Sequence, residues 1–251
     1  NFSRRISGPI IPSLDLDQRL WPPFPGFDVA FACDWPEEPA WHAVVDEEKL
    51  LHDTRIGEPH QRSYAVAERY LEQLKLAVQR DEKLSPVFCV LPEEEYLHCR
   101  SKSRIPKAER STAPLSQRAR NLLVSGQEDI FNPNAVQQYR YSVDFRRQIK
   151  ARSMPFGMPL QLVRETTLRL TDSNANPQER SLTPMADRAW NLCTAAYYKS
   201  AGKPWRLATA RSGVCYVGLA FRWTTSHQGR NTAVCAAQMF LESGDGIIFK
   251  G

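Results

Sequence analysis

Hydrophobic positions along this chain follow helical spacing in some segments and form short continuous runs in others. Segment 63–80 predicts a helix with Ser63 as its N-cap, because its apolar side chains recur every four residues. The recurring positions are Val66, Tyr70, Leu74 and Val78. Runs at 29–33 and 87–91 predict buried strands, and 44–53 predicts a short helix. A strand that follows a helix at this distance indicates a parallel α/β sheet.

The pattern changes in the second half of the chain. Segments 143–152 and 186–200 predict helices, and 158–163 predicts a strand between them. After residue 204 the chain instead predicts three strands that are joined by turns at 224–231 and 243–246. These strands cover 214–223, 233–241 and 247–250. Three further segments predict no regular core element: the proline-rich start 1–28, the basic loop 100–120 with a short helix at 116–123, and the polar loop 172–184.

Composition and charge narrow the class of protein. The 251 residues are 42% hydrophobic and 24% charged, which is ordinary for a globular chain with a buried core. The net charge of +5 permits binding to a polyanion, and the cations concentrate in 100–120 and 140–152. None of the six cysteines forms a C-x-x-C pair, so a zinc ribbon is not expected. No apolar run is long enough to span a bilayer, and we expect a reduced, cytoplasmic compartment.

Five residues have the spacing and chemistry of a phosphate-binding site. Arg146 and Lys150 are four apart, so a helix places both on one face. Asn191 and Lys199 are eight apart and share a face of the next helix, and Gln161 lies in the strand between. Arginine grips a phosphate with two parallel hydrogen bonds, and lysine acts as a point charge. The alternative is an ordinary solvated helix face, because runs of charge usually lie in water.

The order of these residues resembles the MID domain of prokaryotic Argonaute proteins, which holds the 5′ end of a guide strand. Segments 144–152 and 159–161 resemble that guide-end pocket, in the variant with arginine at its first position. Segment 190–205 resembles the junction between the MID and PIWI domains. The resemblance covers 85–251 and implies that Arg146, Lys150, Gln161, Asn191 and Lys199 bind the guide 5′-phosphate. Further nucleic-acid contacts are expected from Arg147, Arg152, Thr166 and Thr167.

The resemblance also implies a fold and its domains. We expect an α/β protein, with a Rossmann-like MID domain followed by the first strands of an RNase H-like PIWI domain. The boundaries would be an extended segment at 1–28, the MID domain at 29–203 and the N-terminal part of PIWI at 204–251.

One position bears on catalysis. Segment 216–221 resembles the first PIWI strand, in which cleaving members carry an aspartate where this chain has Ala220. That aspartate binds the metal ions that place water on the target phosphate, and alanine has no oxygen to do so. We therefore expect no catalytic residue and no slicing; an unrelated sheet is the alternative. The family allows a Mg²⁺ ion at the guide 5′ end, for which no ligands are assigned in this chain.

The functional expectation follows from the short Argonautes, which lack further N-terminal domains. Similar proteins use a guide RNA to recognise single-stranded target DNA in prokaryotic defence. They pair with an APAZ-domain effector that depletes NAD, and a sirtuin-like effector is favoured here over a TIR effector. No membrane partner is expected. The alternative is an α/β enzyme that binds a nucleotide or a phosphorylated small molecule with the same cations.

Overall fold

The computed structural model describes residues 5–7, 9–12, 22–36, 41–80, 86–100, 121, 137–171, 182–205, 211–225 and 231–250. Most of the basic loop 100–120 with its helix at 116–123, and most of the polar loop 172–184, lie outside these residues. The chain divides into two compact units, 1–199 and 200–251. Each unit is described below by itself.

The first unit combines six helices and two strands among its described residues. They are α1 (Phe27–Phe31), α2 (Glu47–Thr54), α3 (Pro59–Gln79), β1 (Val87–Leu91), α4 (Glu93–His98), α5 (Phe145–Ser153), β2 (Leu160–Arg164) and α6 (Met185–Lys199). Short 3₁₀ turns cover Gln138–Arg140, Met154–Phe156 and Glu165–Leu168.

The two strands of this unit pair in parallel. Val87 lies opposite Leu160, and the register continues to Leu91 opposite Arg164. This confirms the α/β class and the parallel pairing, and both strands end at the same edge of the sheet. A Rossmann-like fold, which needs more than a two-stranded ladder to recognise, stays a prediction.

Helix α3 begins four residues before the predicted start. Pro59 occupies the first helical turn, and the Glu58 side chain accepts a hydrogen bond of 2.5 Å from the backbone N–H of Gln61. Proline fits there because its missing N–H is unpaired in that turn anyway. The prediction that Ser63 caps the helix is wrong. Ser63 is buried inside α3, and its Oγ donates to the carbonyl of Val143 at 2.7 Å.

The predicted strand at 29–33 is also wrong, because this segment contains a helix. Phe27 and Phe31 are one helical turn apart, and both are buried. Their ring centroids lie 4.9 Å apart, and the helix ends at Ala32 in the left-handed conformation, with φ of 53°. An i, i+4 pair of aromatics that packs on one side favours the helix over an apolar strand.

Two hydrophobic clusters fill this unit. The first lies where α3 and α5 cover the sheet, with Val66, Tyr70 and Ile149 at its centre. The second joins the N-terminal segment and α1 to α6. There Phe24 packs edge-on against Trp190 at 5.1 Å, and the Trp190 indole N–H donates to the carbonyl of Pro22 at 2.8 Å. These contacts hold α6 in place.

The second unit contains an antiparallel sheet of β3 (Cys215–Thr225), β4 (Asn231–Leu241) and β5 (Gly246–Lys250), in that order. The three predicted strands are confirmed, with ends within a few residues of the predicted ones. An RNase H-like identity for this sheet stays a prediction. Across the described parts of both units, no helix combines the length and the hydropathy that crossing a membrane requires.

Candidate anion-binding site

A cavity of about 470 Å³ opens where β1 and β2 end. In parallel α/β sheets, ligands bind outside the carboxyl ends of the strands, and Leu91 and Arg164 mark those ends here. The remaining lining residues come from α4, α5, β2 and its following turn, and the start of α6. They are Tyr96, Arg146, Gln161, Leu162, Val163, Thr167, Thr183, Arg188, Asn191 and Leu192.

Helix α5 presents Arg146 to this cavity. The carboxylate of Asp144 caps the helix by accepting from the backbone N–H of Arg147 at 3.3 Å. Phe145 and Ile149 are buried in the core, which fixes the rotation of the helix about its axis. Arg146 and Lys150 each follow one of these apolar residues, so both are exposed on the adjacent face.

Lys199 and Gln161 are in direct contact. The Lys199 ammonium donates to the Gln161 side-chain oxygen at 2.7 Å, from the last turn of α6 to the first half of β2. Burial lowers the pKa of Lys199, and the positive charge of Lys150 lowers it further. Both effects disfavour the charged form of Lys199, and a nearby anion would offset them.

Asn191 completes the predicted set. It lies on an exposed position of α6, two turns before Lys199, and lines the cavity. Arg146, Gln161 and Asn191 share the cavity wall, and Lys199 contacts one of them, Gln161. Lys150 lies one helical turn after Arg146 on α5 and is not among the lining residues.

The four additional residues separate into two groups. Thr167 lines the cavity, whereas Thr166 is 5% exposed and its hydroxyl has no hydrogen-bond partner among the described residues. Arg147 is exposed and does not line the cavity. Arg152 forms contacts within the protein and does not line the cavity.

Arg152 is engaged by the protein itself. Its guanidinium pairs with Glu68, donates to the Gln148 side-chain oxygen at 3.1 Å and lies 4.1 Å from the centre of the Tyr64 ring. These contacts join α5 to α3 on the side of α5 away from the cavity lining. The geometry does not place Arg152 with the five pocket residues.

Sequence reasoning missed Arg164, which also lines the cavity. Its guanidinium forms a two-point ion pair with Glu93 and lies 3.8 Å from the centre of the Tyr96 ring. Two features of the sequence could have indicated this role: Arg164 is the last residue of the strand β2, and Glu93 lies two residues after the end of β1. That signal depends on the register of the sheet.

Arg188 was missed as well. It is buried in α6, and its guanidinium donates to four backbone carbonyls at 2.5–3.0 Å. The acceptors are Thr167, Arg169, Thr171 and Thr183. Arg188 thus ties the turn after β2 to the start of α6 and fixes the wall that carries Thr167.

The lining residues do not fit a Mg²⁺ site on their own. Magnesium takes oxygen ligands, usually with one or two carboxylates. The described lining contains no carboxylate, its arginines repel a cation, and the Gln161 oxygen already accepts from Lys199. No group of three acidic, histidine or cysteine side chains that could hold a metal occurs among the described residues.

In the second unit, Ala220 lies in β3 opposite Ala236 of β4. Its methyl group supplies no oxygen ligand. Asp245 lies in the turn before β5, where it pairs with Lys203 at 2.7 Å and accepts from the Ser243 hydroxyl at 2.6 Å. The Asp245 carboxylate therefore already forms one ion pair and one hydrogen bond within this unit.

No known protein-family profile matches this chain, and no curated protein matches it either.

Proposed function

We propose that this chain anchors the 5′-phosphate of a guide RNA in the cavity at the end of β1 and β2. The observation that carries the proposal is that Gln161, which contacts Lys199, lines the same cavity as Arg146 and Asn191. Burial and the charge of Lys150 both lower the pKa of Lys199, and a bound anion would offset these effects. A terminal phosphate supplies up to two negative charges and three acceptor oxygens.

Two further residues of the cavity support a role in binding the phosphorylated end of a strand. Arg146 lines the same cavity and forms no ion pair with any carboxylate in the described ranges, so its guanidinium is available to a phosphate oxygen. Asn191 adds a neutral donor. This set matches the residue order of the MID pocket that the sequence resembles.

The wider role follows from the resemblance. The guide would present its bases to complementary single-stranded DNA, and pairing would license an APAZ-domain partner that depletes NAD, with a sirtuin-like effector favoured. Ala220 supports a role without slicing, since the chain would sense the target and the partner would do the chemistry in the cytoplasm. A MID domain and the first part of a PIWI domain are the fold that this proposal assigns.

The test compares RNA oligonucleotides of one sequence with either a 5′-monophosphate or a 5′-hydroxyl. We expect tighter binding of the phosphorylated strand, and loss of that preference in Lys150→Ala/Lys199→Ala. Each cation contributes on the order of 1–3 kcal/mol, the scale of a charge-assisted hydrogen bond. The matched control is Lys49→Ala/Lys75→Ala, which removes two charges from α2 and α3, helices that carry none of the five pocket residues. Equal preference in wild type and the Lys150/Lys199 variant would contradict the proposal.

An α/β enzyme that binds a nucleotide or a phosphorylated small molecule is the second candidate. The cavity volume of about 470 Å³ favours it, because it falls in the range of small-molecule sites. Salt dependence separates the two functions. A guide strand engages many phosphates, so its affinity should fall steeply with salt, whereas a small ligand should show a shallow slope.

A further inference from the structure

Helix α4 forms part of the cavity wall, and one buried carboxyl group attaches it to the core. The helix contributes Tyr96 to the lining. The Arg164 guanidinium lies 3.8 Å from the centre of the Tyr96 ring and pairs with Glu93, so two residues of α4 hold this arginine. Glu95, between them in sequence, is 1% exposed and lies in the core. Contacts at the cavity and contacts in the core therefore meet on one short helix.

The surroundings of Glu95 suit a neutral carboxyl group. One of its oxygens accepts a hydrogen bond of 2.6 Å from the Tyr70 hydroxyl, and the other has no hydrogen-bond partner among the described residues. An ionised carboxylate needs more donors than this site offers, so its burial is unfavourable. Burial accordingly raises the pKa of Glu95 to about 8.

The groups that face Glu95 from the neighbouring elements keep their charge state between pH 6 and pH 8. They are Tyr70 of α3, Cys89 of β1 and Cys99 after α4, and burial raises the pKa of each, with the Glu95 charge adding to the effect. Arg62 of α3 and Asp53 of α2 act on Cys99 as well, and such side chains stay charged throughout this range. Glu95 is therefore the member of this cluster whose charge changes near neutral pH.

We propose that Glu95 is a pH-sensitive lock that holds α4 against the core and thereby sets the position of the cavity wall. With a neutral carboxyl group, α4 stays docked. Ionisation of Glu95 favours states in which α4 detaches from Tyr70 and the carboxylate reaches water. The cavity therefore opens more often as the pH rises. This lock acts on the protein alone, whichever ligand the cavity binds.

Release of α4 changes the cavity at two places. Tyr96 leaves the lining with the helix, and Arg164 loses the ring on which it stacks. The carbonyl of Cys99, directly after α4, accepts from the backbone N–H of Phe145 at 3.0 Å, and Phe145 precedes Arg146 in α5. The α4 segment thus contacts the elements that carry two arginines of the lining.

The thiol of Cys99 reports how often α4 opens. Cys99 is 3% exposed, and its backbone N–H donates to the carbonyl of Glu95 at 2.9 Å, so a thiol reagent reaches it when α4 detaches. The full chain is treated with iodoacetamide at pH 6 and pH 8, and the labelled peptides are quantified over time. Each rate is divided by that of a short unstructured peptide with the same cysteine at the same pH, which removes the pH dependence of the thiol chemistry.

The relative rate of Cys99 labelling in wild type should rise about fifty-fold from pH 6 to pH 8. This is the change for a carboxyl group whose pKa is about 8 when α4 is docked and has the ordinary value of 4.5 when α4 is released. Glu95→Gln carries a permanently neutral side chain at this position, so its relative rate should stay constant.

Glu94→Gln is the matched control, because it tests a rival source of pH dependence on the same helix. His98 can also change its charge near neutral pH, and its Nδ1 lies 4.0 Å from the Glu94 carboxylate. Loss of that pair at rising pH would loosen α4 too, but the response would then persist in Glu95→Gln and vanish in Glu94→Gln. We expect the reverse result.

Cys193 separates the opening of α4 from unfolding of the whole unit. It is buried on α6 in the other hydrophobic cluster, so its labelling reports global unfolding. Local opening exposes little surface, so low urea concentrations should accelerate the Cys99 reaction only weakly and the Cys193 reaction steeply. Cys99 should also react faster than Cys193 at pH 8.

Tyr70→Phe gives a second measurement that leaves Glu95 in place. The Tyr70 hydrogen bond lowers the pKa of Glu95, so without it the rise in Cys99 labelling should continue to a higher pH than in wild type. Thermal unfolding of each variant confirms that it is folded. A constant relative rate in wild type, or a response that persists in Glu95→Gln, overturns the lock. Equal rates and equal urea dependence of Cys99 and Cys193 overturn it as well, because α4 would then open only with the whole unit.

Discussion

Glu95 is expected to make the free energy of unfolding decrease as the pH rises, and replacing it with glutamine should remove this contribution. This residue of α4 is 1% exposed, and one of its carboxylate oxygens has no hydrogen-bond partner among the described residues. The other oxygen lies 2.6 Å from the Tyr70 hydroxyl, which in turn lies 3.2 Å from the carbonyl of Val90. The Tyr70 hydroxyl is the only described donor to this carboxyl group, so an ionised Glu95 would be a buried charge with one unsatisfied oxygen, and the neutral form is favoured.

Burial raises the pKa of Glu95 to about 8, although the hydrogen bond from Tyr70 acts in the opposite direction. The folded protein therefore retains a proton that the unfolded chain, with its ordinary glutamate pKa of 4.5, releases. The stabilising effect of the neutral form is complete below pH 4.5 and is lost as the pH rises towards about 8. Within that window each pH unit removes about 1.4 kcal/mol.

The assay is urea denaturation of wild type and Glu95→Gln at pH 6 and pH 7.5. Between these values, the free energy of unfolding of wild type should fall by roughly 2 kcal/mol more than that of Glu95→Gln. The control is Glu94→Gln, which removes an adjacent, partly exposed carboxylate and should keep the wild-type pH dependence. Equal losses in wild type and Glu95→Gln would refute the assignment of a buried, neutral glutamate.

Three further predictions concern packing and reactivity. Arg152→Ala should lower the free energy of unfolding by about 1–2 kcal/mol in urea denaturation, because it removes a charge-assisted hydrogen bond to the partly buried Glu68, which keeps Lys75 as a partner. Ala201→Gly should stabilise the protein by up to about 1 kcal/mol, because residue 201 has a φ of 66° that favours glycine. The expected result is a slightly higher melting temperature. Native alkylation followed by peptide mapping should label the exposed Cys33 and spare Cys193, whose pKa burial raises to about 12.

The sequence predicted the helices and strands whose local pattern agrees with their packing. Helical periodicity of the apolar residues located α3, and a continuous apolar run located the buried strand β1. The strand predicted at 29–33 was wrong because five apolar residues fit either a strand or one helical turn. The contact of Phe27 with Phe31 favours the helix. The prediction that Ser63 caps α3 was wrong because the Ser63 hydroxyl donates to the carbonyl of Val143, which is distant in sequence, and not to its own helix.

The predictions for the candidate site also differ in how far they depend on contacts between distant segments. The five predicted pocket residues came from spacing on α5 and α6 and from the resemblance. Three of them, Arg146, Gln161 and Asn191, line one cavity, and Lys199 contacts Gln161. Arg152 matched the same charge pattern, yet its neighbours on α3 turn it into a packing residue, and those neighbours lie more than eighty positions away. Arg164 was missed because its role depends on Glu93, which lies opposite only when β1 and β2 pair in register.

Three consecutive glutamates on α4 show why a run of charge carries little information by itself. Successive helix positions point in directions about 100° apart, so neighbours in sequence enter different surroundings. Glu93 pairs with Arg164 at the cavity, Glu94 pairs with Arg55 on α2's side of the molecule, and Glu95 is buried beside Tyr70. One short helix thus carries a carboxylate that pairs with an arginine of the cavity lining, a partly exposed carboxylate that serves as the control, and a buried carboxyl group that ties stability to pH. Changing each to glutamine alone separates the three effects without changing the helix.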